Sequence, residues 1–163
     1  LARLLGDEDD VKISLSDSQV RFTVGTSLLV SKLIEGNYPN YRQVIPAETK
    51  ERIDINRVQL LETVRRVSLL SSDKSNSVKL AFGPNSINIA ANSPDIGNAE
   101  ETMDVKYSGP EFAIAFNPEF LQAPLKALDE ENIFLDLIDE MNPGVLRIDG
   151  SFLYVLMPMR VTN

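Results

Sequence analysis

At 163 residues, 43% hydrophobic and 25% charged, the chain suffices for one compact domain and part of another. With 24 acidic and 16 basic residues its net charge is −8, which argues against a nucleic-acid binder that grips phosphates with Lys and Arg. The absence of histidine and cysteine removes the usual general base, thiol nucleophiles, thiolate metal sites and any disulfide framework.

The opening Leu1-Ala2-Arg3-Leu4-Leu5 reads as the tail of a helix, cut off by the acidic run Asp7 to Asp10. Because the chain begins on Leu1 and not Met, a natural N-terminal segment is expected to be missing. Two segments then align without a gap, Val11 to Phe22 and Val78 to Ile89. In each, apolar residues recur at period two, pass a polar turn, and recur at period two again, the pattern of a half-buried antiparallel hairpin. A third strand follows each, at Ser27 to Leu33 and at Glu101 to Tyr107. A looser copy closes the chain: Ile133 to Leu137, the turn Asn142-Pro143-Gly144, Val145 to Ile148, then Phe152 to Met157. Any antiparallel sheet has alternating hairpins, but the repeated order of hairpin and third strand favours duplicated units.

Two helices punctuate the strands. Asn56-Arg57-Val58-Gln59 has the form of a capping box, and Val58, Leu60, Leu61 and Val64 form an apolar stripe behind it. That helix should fade near Ser71-Ser72. The second starts at Asn117-Pro118, an N-cap followed by proline at the first helical position, and carries Phe120, Leu121, Leu125 and Leu128. Pro124 inside it lacks an N–H and should leave the helix short or bent. From about residue 47 the string is strand, helix, three strands, used twice. This predicts an α+β fold of repeated βαβββ units, with antiparallel sheets outside and the helices on one face. Residues 1–46 read as the last strands of a preceding copy, residues 47–163 as a full domain, with Tyr38 to Pro46 as the connection.

Carboxylates are the remaining catalytic currency. Asp7-Glu8-Asp9-Asp10, or Asp136 with Asp139 and Glu140, have the residue type for Mg²⁺, which would make a metal-dependent phosphoryl-transfer enzyme. The plainer expectation is a solvated turn for the first set and water-facing charges at a strand end for the second. No serine lies in a Gly-x-Ser-x-Gly elbow, and Gly83-Pro84-Asn85 is a hairpin turn, not a phosphate loop. A binding protein without catalysis or cofactor is the reading the inventory favours.

The stretch Ser31 to Pro46, centred on Gly36-Asn37-Tyr38-Pro39-Asn40-Tyr41-Arg42, and the C-terminal Tyr154-Val155-Leu156-Met157-Pro158-Met159-Arg160 resemble, in that order, the β sliding clamp. That family is the processivity factor of the bacterial replicative DNA polymerase. The resemblance runs the length of the chain and matches the C-terminal half of such a protein. It implies a cytoplasmic, non-catalytic DNA clamp fold in which two crescent chains close head to tail around double-stranded DNA. An acidic chain serves DNA in this way by encircling it. The implied partners are the polymerase catalytic subunit, the clamp loader and repair polymerases, docking through short Gln/Leu/Phe-rich peptides. ATP is consumed by the loader, and no cofactor or membrane is implied.

Carried over residue by residue, the resemblance puts Pro39, Val44, Asn117, Phe120, Met141, Pro143, Val155, Met157, Pro158, Met159 and Arg160 in the docking groove. Methionine is unbranched and polarizable, which suits a surface that accepts many peptides. Met157 and Met159 would equally complete a core strand. Arg57, Arg65, Arg66, Lys74 and Lys126 are candidates to face DNA without reading sequence, or to form an ordinary solvated helix face, as is Lys79. Leu69 and Leu70 match an apolar pair at the subunit interface and also read as core, with room for one side chain to point inward and one outward. Two departures stand out: Gln43 stands where many clamps carry a basic residue, and Thr162-Asn163 extend past the usual end. A structural α+β repeat protein without a DNA role remains the alternative.

Overall fold

A computed structural model describes residues 1–6, 10–38, 40–71 and 76–160. Its contacts divide the chain into two units, Leu1–Asn40 and Tyr41–Asn163. Tyr41 to Pro46, expected with the first portion, therefore cluster with the second.

In the first unit, the expected helix tail is a single 3₁₀ turn at Ala2–Leu4. Strands β1 (Val11–Leu15), β2 (Gln19–Val24) and β3 (Ser27–Lys32) form an antiparallel sheet in that order, with Phe22 opposite Ile13 on one side and Leu29 on the other. Gly25, at φ +54°, makes the tight turn between β2 and β3, a conformation that costs glycine nothing.

The second unit runs β4 (Glu51–Asn56), α1 (Arg57–Ser68), β5 (Val78–Gly83), β6 (Ser86–Ser93), β7 (Gly97–Asp104), β8 (Phe112–Phe116), α2 (Pro118–Ala127), β9 (Asn132–Leu137), β10 (Gly144–Arg147) and β11 (Leu153–Leu156). This is the βαβββ unit used twice. The strands are exchanged, however: the sheets have the orders β11-β10-β9-β4 and β7-β6-β5-β8, so the first strand of each repeat completes the sheet of the other. Both sheets are antiparallel throughout.

The helices start where the sequence says they should. The Asn56 side chain accepts from the Gln59 N–H at 2.9 Å, and Asn117 does the same for Glu119 and Phe120. Helix α1 ends at Ser68, three residues short of expectation, as the Leu69 and Leu70 N–H groups turn back to Arg66 and Val67 carbonyls. Helix α2 runs unbroken through Pro124. The proline is the seventh of ten residues, so its missing N–H forfeits one intrahelical bond near the helix end, too little to terminate a helix whose Leu121 and Leu125 are fully buried.

One core lies between the sheets and the helices. Ile53, Leu80, Ile89 and Leu135 from the strands pack with Leu60, Val64, Leu121 and Leu125 from the helices, each about 1.5–3 kcal/mol of burial. Helix α1 packs on β6 and β7, α2 on β11, and the helices on each other.

Candidate functional site

Two segments of the second unit wall one cavity, and a third runs on the strand beside them. The first is the connector before β4. After a 3₁₀ turn at Tyr41–Gln43, the Val44 N–H donates to the Tyr41 carbonyl at 3.2 Å and the Val44 side chain is left exposed. Further on, the Lys50 N–H donates to the Leu137 carbonyl at 3.0 Å, which lays the connector against the end of β9. Between connector and the β9–β10 loop lies a cavity of about 620 Å³ walled by Val44, Pro46, Lys50, Ile138, Asn142 and Pro143 among others.

The second segment is that loop. Asp139 Oδ1 accepts from the backbone N–H groups of Met141 and Asn142, both at 2.9 Å, and Asn142 Nδ2 donates to both carboxylate oxygens at 2.9 Å. These donors favour the charged form, the Met141 N–H most, and hold the Asp139 carboxyl below its ordinary value. Met141 stands out from the loop at 73% exposure.

The third segment is the C-terminal run. Gly144 pairs with Leu156 in the antiparallel ladder, so Pro143 and Met157 are the next residues beyond that pair on adjacent strands. Val155, opposite Val145, is half-buried, and Met157 is 63% exposed. Pro158 lacks an N–H and ends the pairing, after which the Met159 N–H donates to the Ala115 carbonyl of β8 at 2.8 Å. The run thus leaves the edge of one sheet and is tied to the edge of the other, two residues before Asn117. Met159 is half-buried and Arg160 exposed. The Asn117 oxygen is occupied in capping α2, and Phe120 in the first turn is 59% exposed.

Val44 and Pro143 thus share one cavity, Met157 adjoins Pro143, and Met159 is fastened beside the strand that leads to Asn117 and Phe120. Pro39 and Thr162-Asn163 lie outside the described residues, and Gln43 is at the cavity wall.

The basic candidates have separate environments. Arg57 donates to the carbonyls of Leu125, at 2.8 Å, and Glu130, so its guanidinium serves the C-terminal end of α2. Arg66 makes a two-point pair with Glu101 at 2.8 and 2.7 Å, with Glu62 4.0 Å away. Arg65 and Lys126 are exposed in the last turns of α1 and α2. Lys79 is exposed on β5, and Lys74 lies outside the described residues. At the end of α1, Leu69 is 77% exposed and Leu70 half-buried.

Asp136 does not face water as the sequence predicts: it is 1% exposed and takes hydrogen bonds from both Arg52 and Arg147. Its place in β9 alternates outward from the core, and alternation says which face a residue occupies, not what covers that face. Among the described residues no group of three or more Asp or Glu side chains is placed to hold a metal ion, and no helix is long and apolar enough to cross a membrane. Asp7 to Asp9 lie outside the described residues.

Residues 42–160 match the family described as DNA polymerase III beta subunit, C-terminal domain, and residues 1–40 match its central domain. The chain belongs to the DNA polymerase III β subunit family. It is 33% identical over 161 residues to the beta sliding clamp of Chlamydia pneumoniae, covering 99% of this chain and 44% of that protein. Against the beta sliding clamp of Escherichia coli K12 it is 33% identical over 164 residues, covering 99% and 45%. The chain therefore spans somewhat under half the length of these relatives. Among solved structures, a sliding clamp from Bartonella birtlesii bound to griselimycin superposes with a TM-score of 0.81 at 34% identity, covering 98% of this chain and 44% of that one. The DNA polymerase III subunit beta of Pseudomonas aeruginosa gives 0.81 at 31% identity, covering 98% and 45%. The clamp fold expected from the sequence is the fold present.

Proposed function

We propose that the chain is the C-terminal part of a ring-shaped sliding clamp, with residues 1–40 closing its middle domain and residues 41–163 forming its last. In this reading it performs no chemistry. Two full-length subunits in the cytoplasm encircle double-stranded DNA and slide on sequence-blind contacts, so processivity is a matter of topology. Leu69, exposed at the end of α1, contributes to the surface that meets the second subunit, with Leu70 behind it. Arg65 and Lys126 are the helix cations best placed to meet phosphates. Arg57 and Arg66 divide their charge with protein partners.

The observation that carries the reading is the cavity shared by Val44 and Pro143, with Met157 next to Pro143 just past the β10–β11 ladder and Met141 and Phe120 exposed on other segments. In a chain of this family, exposed thioether and aliphatic side chains beside a concavity fit the apolar residues of a short peptide. Val155, Pro158, Met159, Arg160 and Asn117 support that surface, and Pro39 is assigned to it on the resemblance alone. The partners expected there are the polymerase catalytic subunit, the clamp loader and repair polymerases.

Fluorescence anisotropy of a labelled Gln/Leu/Phe-rich peptide titrated with this chain tests it. Saturable binding competed by unlabelled peptide is the expected result. Absence of binding both to this chain and to a full-length protein carrying it would overturn the assignment.

A further inference from the structure

We propose that Asp139 is a positioning residue for the docking surface, a role that rests on the peptide-binding reading above. The β9–β10 loop carries no regular structure between Leu137 and Gly144, and its tip bears an exposed methionine. An exposed loop of this kind samples many conformations unless something fixes it. Here one carboxylate does so. It accepts from two successive backbone N–H groups, those of Met141 and Asn142, and from the Asn142 side chain, all at 2.9 Å.

The consequence reaches the cavity directly. Asn142, a partner in the clasp, and Pro143 just after it form part of the cavity wall together with Ile138, on the other side of Asp139. Met141, whose own N–H the carboxylate holds, is followed by the clasped Asn142 and projects into solvent beside that wall. Asp139 itself makes no wall of the cavity, so its contribution to a bound peptide is indirect. It keeps Met141 and Pro143 in place before the peptide arrives, and the ordering cost of the loop is not charged against binding.

Removing the carboxylate leaves the loop fixed for only part of the time, and apparent affinity falls by the fraction of molecules in the competent arrangement. If that fraction drops to a tenth, Kd rises about tenfold. The test uses Asp139→Ala, Asp139→Asn and the exchanged pair Asp139→Asn with Asn142→Asp, each titrated with the labelled peptide and each melted. The expected result is about a tenfold weakening for Asp139→Ala with little change in melting. Asp139→Asn keeps one acceptor oxygen but sets its amide against that of Asn142, and should fall between. The exchanged pair restores a donor opposite an acceptor and should recover affinity. Hydrogen exchange at the Met141 and Asn142 amides should quicken in Asp139→Ala alone among distant sites.

Unchanged affinity in Asp139→Ala, with the wild-type chain binding normally, would overturn the positioning role and leave the docking surface intact. A matched drop in melting and affinity without recovery in the exchanged pair would also overturn it, as a structural role only. If neither the wild-type chain nor the full-length protein binds the peptide, the docking reading itself fails, and this role with it.

Discussion

Arg52 and Asp136 meet in a two-point ion pair, Nε to Oδ1 at 2.7 Å and Nη2 to Oδ2 at 2.8 Å, directly across the β4–β9 ladder. Arg147 of β10 completes it with Nε to Oδ2 at 3.1 Å, and the Arg52 guanidinium lies 5.6 Å from the centre of the Phe134 ring. The pair joins a strand of the first repeat to two strands of the second, and so fastens the exchange. Asp136→Ala removes a buried acceptor from two arginines, each solvated enough to rehydrate. The expected loss is about 1–3 kcal/mol, with Arg52→Ala costing less because Arg147 still satisfies the carboxylate. Urea unfolding measures both, and an unchanged midpoint in Asp136→Ala would show the clasp to be idle.

Met157 and Met159 separate binding from folding to different degrees. Met157→Ala truncates an exposed side chain and should leave melting unchanged while weakening peptide binding. Met159 is half-buried and tied to Ala115 by a backbone bond that alanine keeps. Met159→Ala should therefore also fold, with a loss below the roughly 2 kcal/mol of a fully buried methionine. Strongly lowered melting with unaltered binding in both would place them in the core and remove them from the groove.

The Arg66–Glu101 pair sets a pH response. The hydrogen bonds from Arg66 lower the Glu101 carboxyl from its ordinary value, with Thr63 assisting, and Glu62 also faces the guanidinium. A depressed carboxylate contributes its interaction above the unfolded value and loses it as pH falls through the folded one. The pair should hold at neutral pH and open only below the usual carboxylate range. A carboxyl-detected NMR titration should place Glu101 below the ordinary glutamate value, and Arg66→Ala should bring it back up. A Glu101 carboxyl that does not move in Arg66→Ala would mean that the pair does not persist in solution.

Tyr107 and Gly109 compete for one space. The buried Tyr107 hydroxyl donates to the Pro110 carbonyl at 2.6 Å, and burial raises its pKa. A Cβ on Gly109 would lie 2.6 Å from that hydroxyl oxygen and 2.6 Å from Glu51 Oε2. Gly109→Ala should cost about 1–3 kcal/mol through overpacking, and Tyr107→Phe about 1 kcal/mol through the lost hydrogen bond. Because Phe removes one of the clashing atoms, the double variant should cost less than the sum, which a double-mutant cycle on urea midpoints would detect.

What the sequence disclosed follows from the range of each interaction. The hairpins Val11 to Phe22 and Val78 to Ile89, and both Asn caps, were legible because period-two alternation and capping are local. The docking residues came from resemblance, since nothing local marks Met157 as exposed instead of core. The exchange of β4 and β8 was invisible, because pairing between Arg52 and Asp136 joins residues 84 positions apart and leaves no local trace. Asp136 and Asp139, three residues apart, look alike in the sequence as water-facing charges at a strand end. One lies under two arginines and the other folds its own loop, a difference made by neighbours, not by spacing.

The exchanged strands make the repeat a unit of chain order but not a physical one. Cutting the second unit between Asp104 and Phe112 would give two pieces of equal pattern, each with three strands of one sheet and a first strand whose partners lie in the other piece. Neither could close its core alone, yet each carries what the other lacks. The two halves are thus suited to complementation as separate chains, and recombination that swapped one repeat would have to preserve two ladders at once.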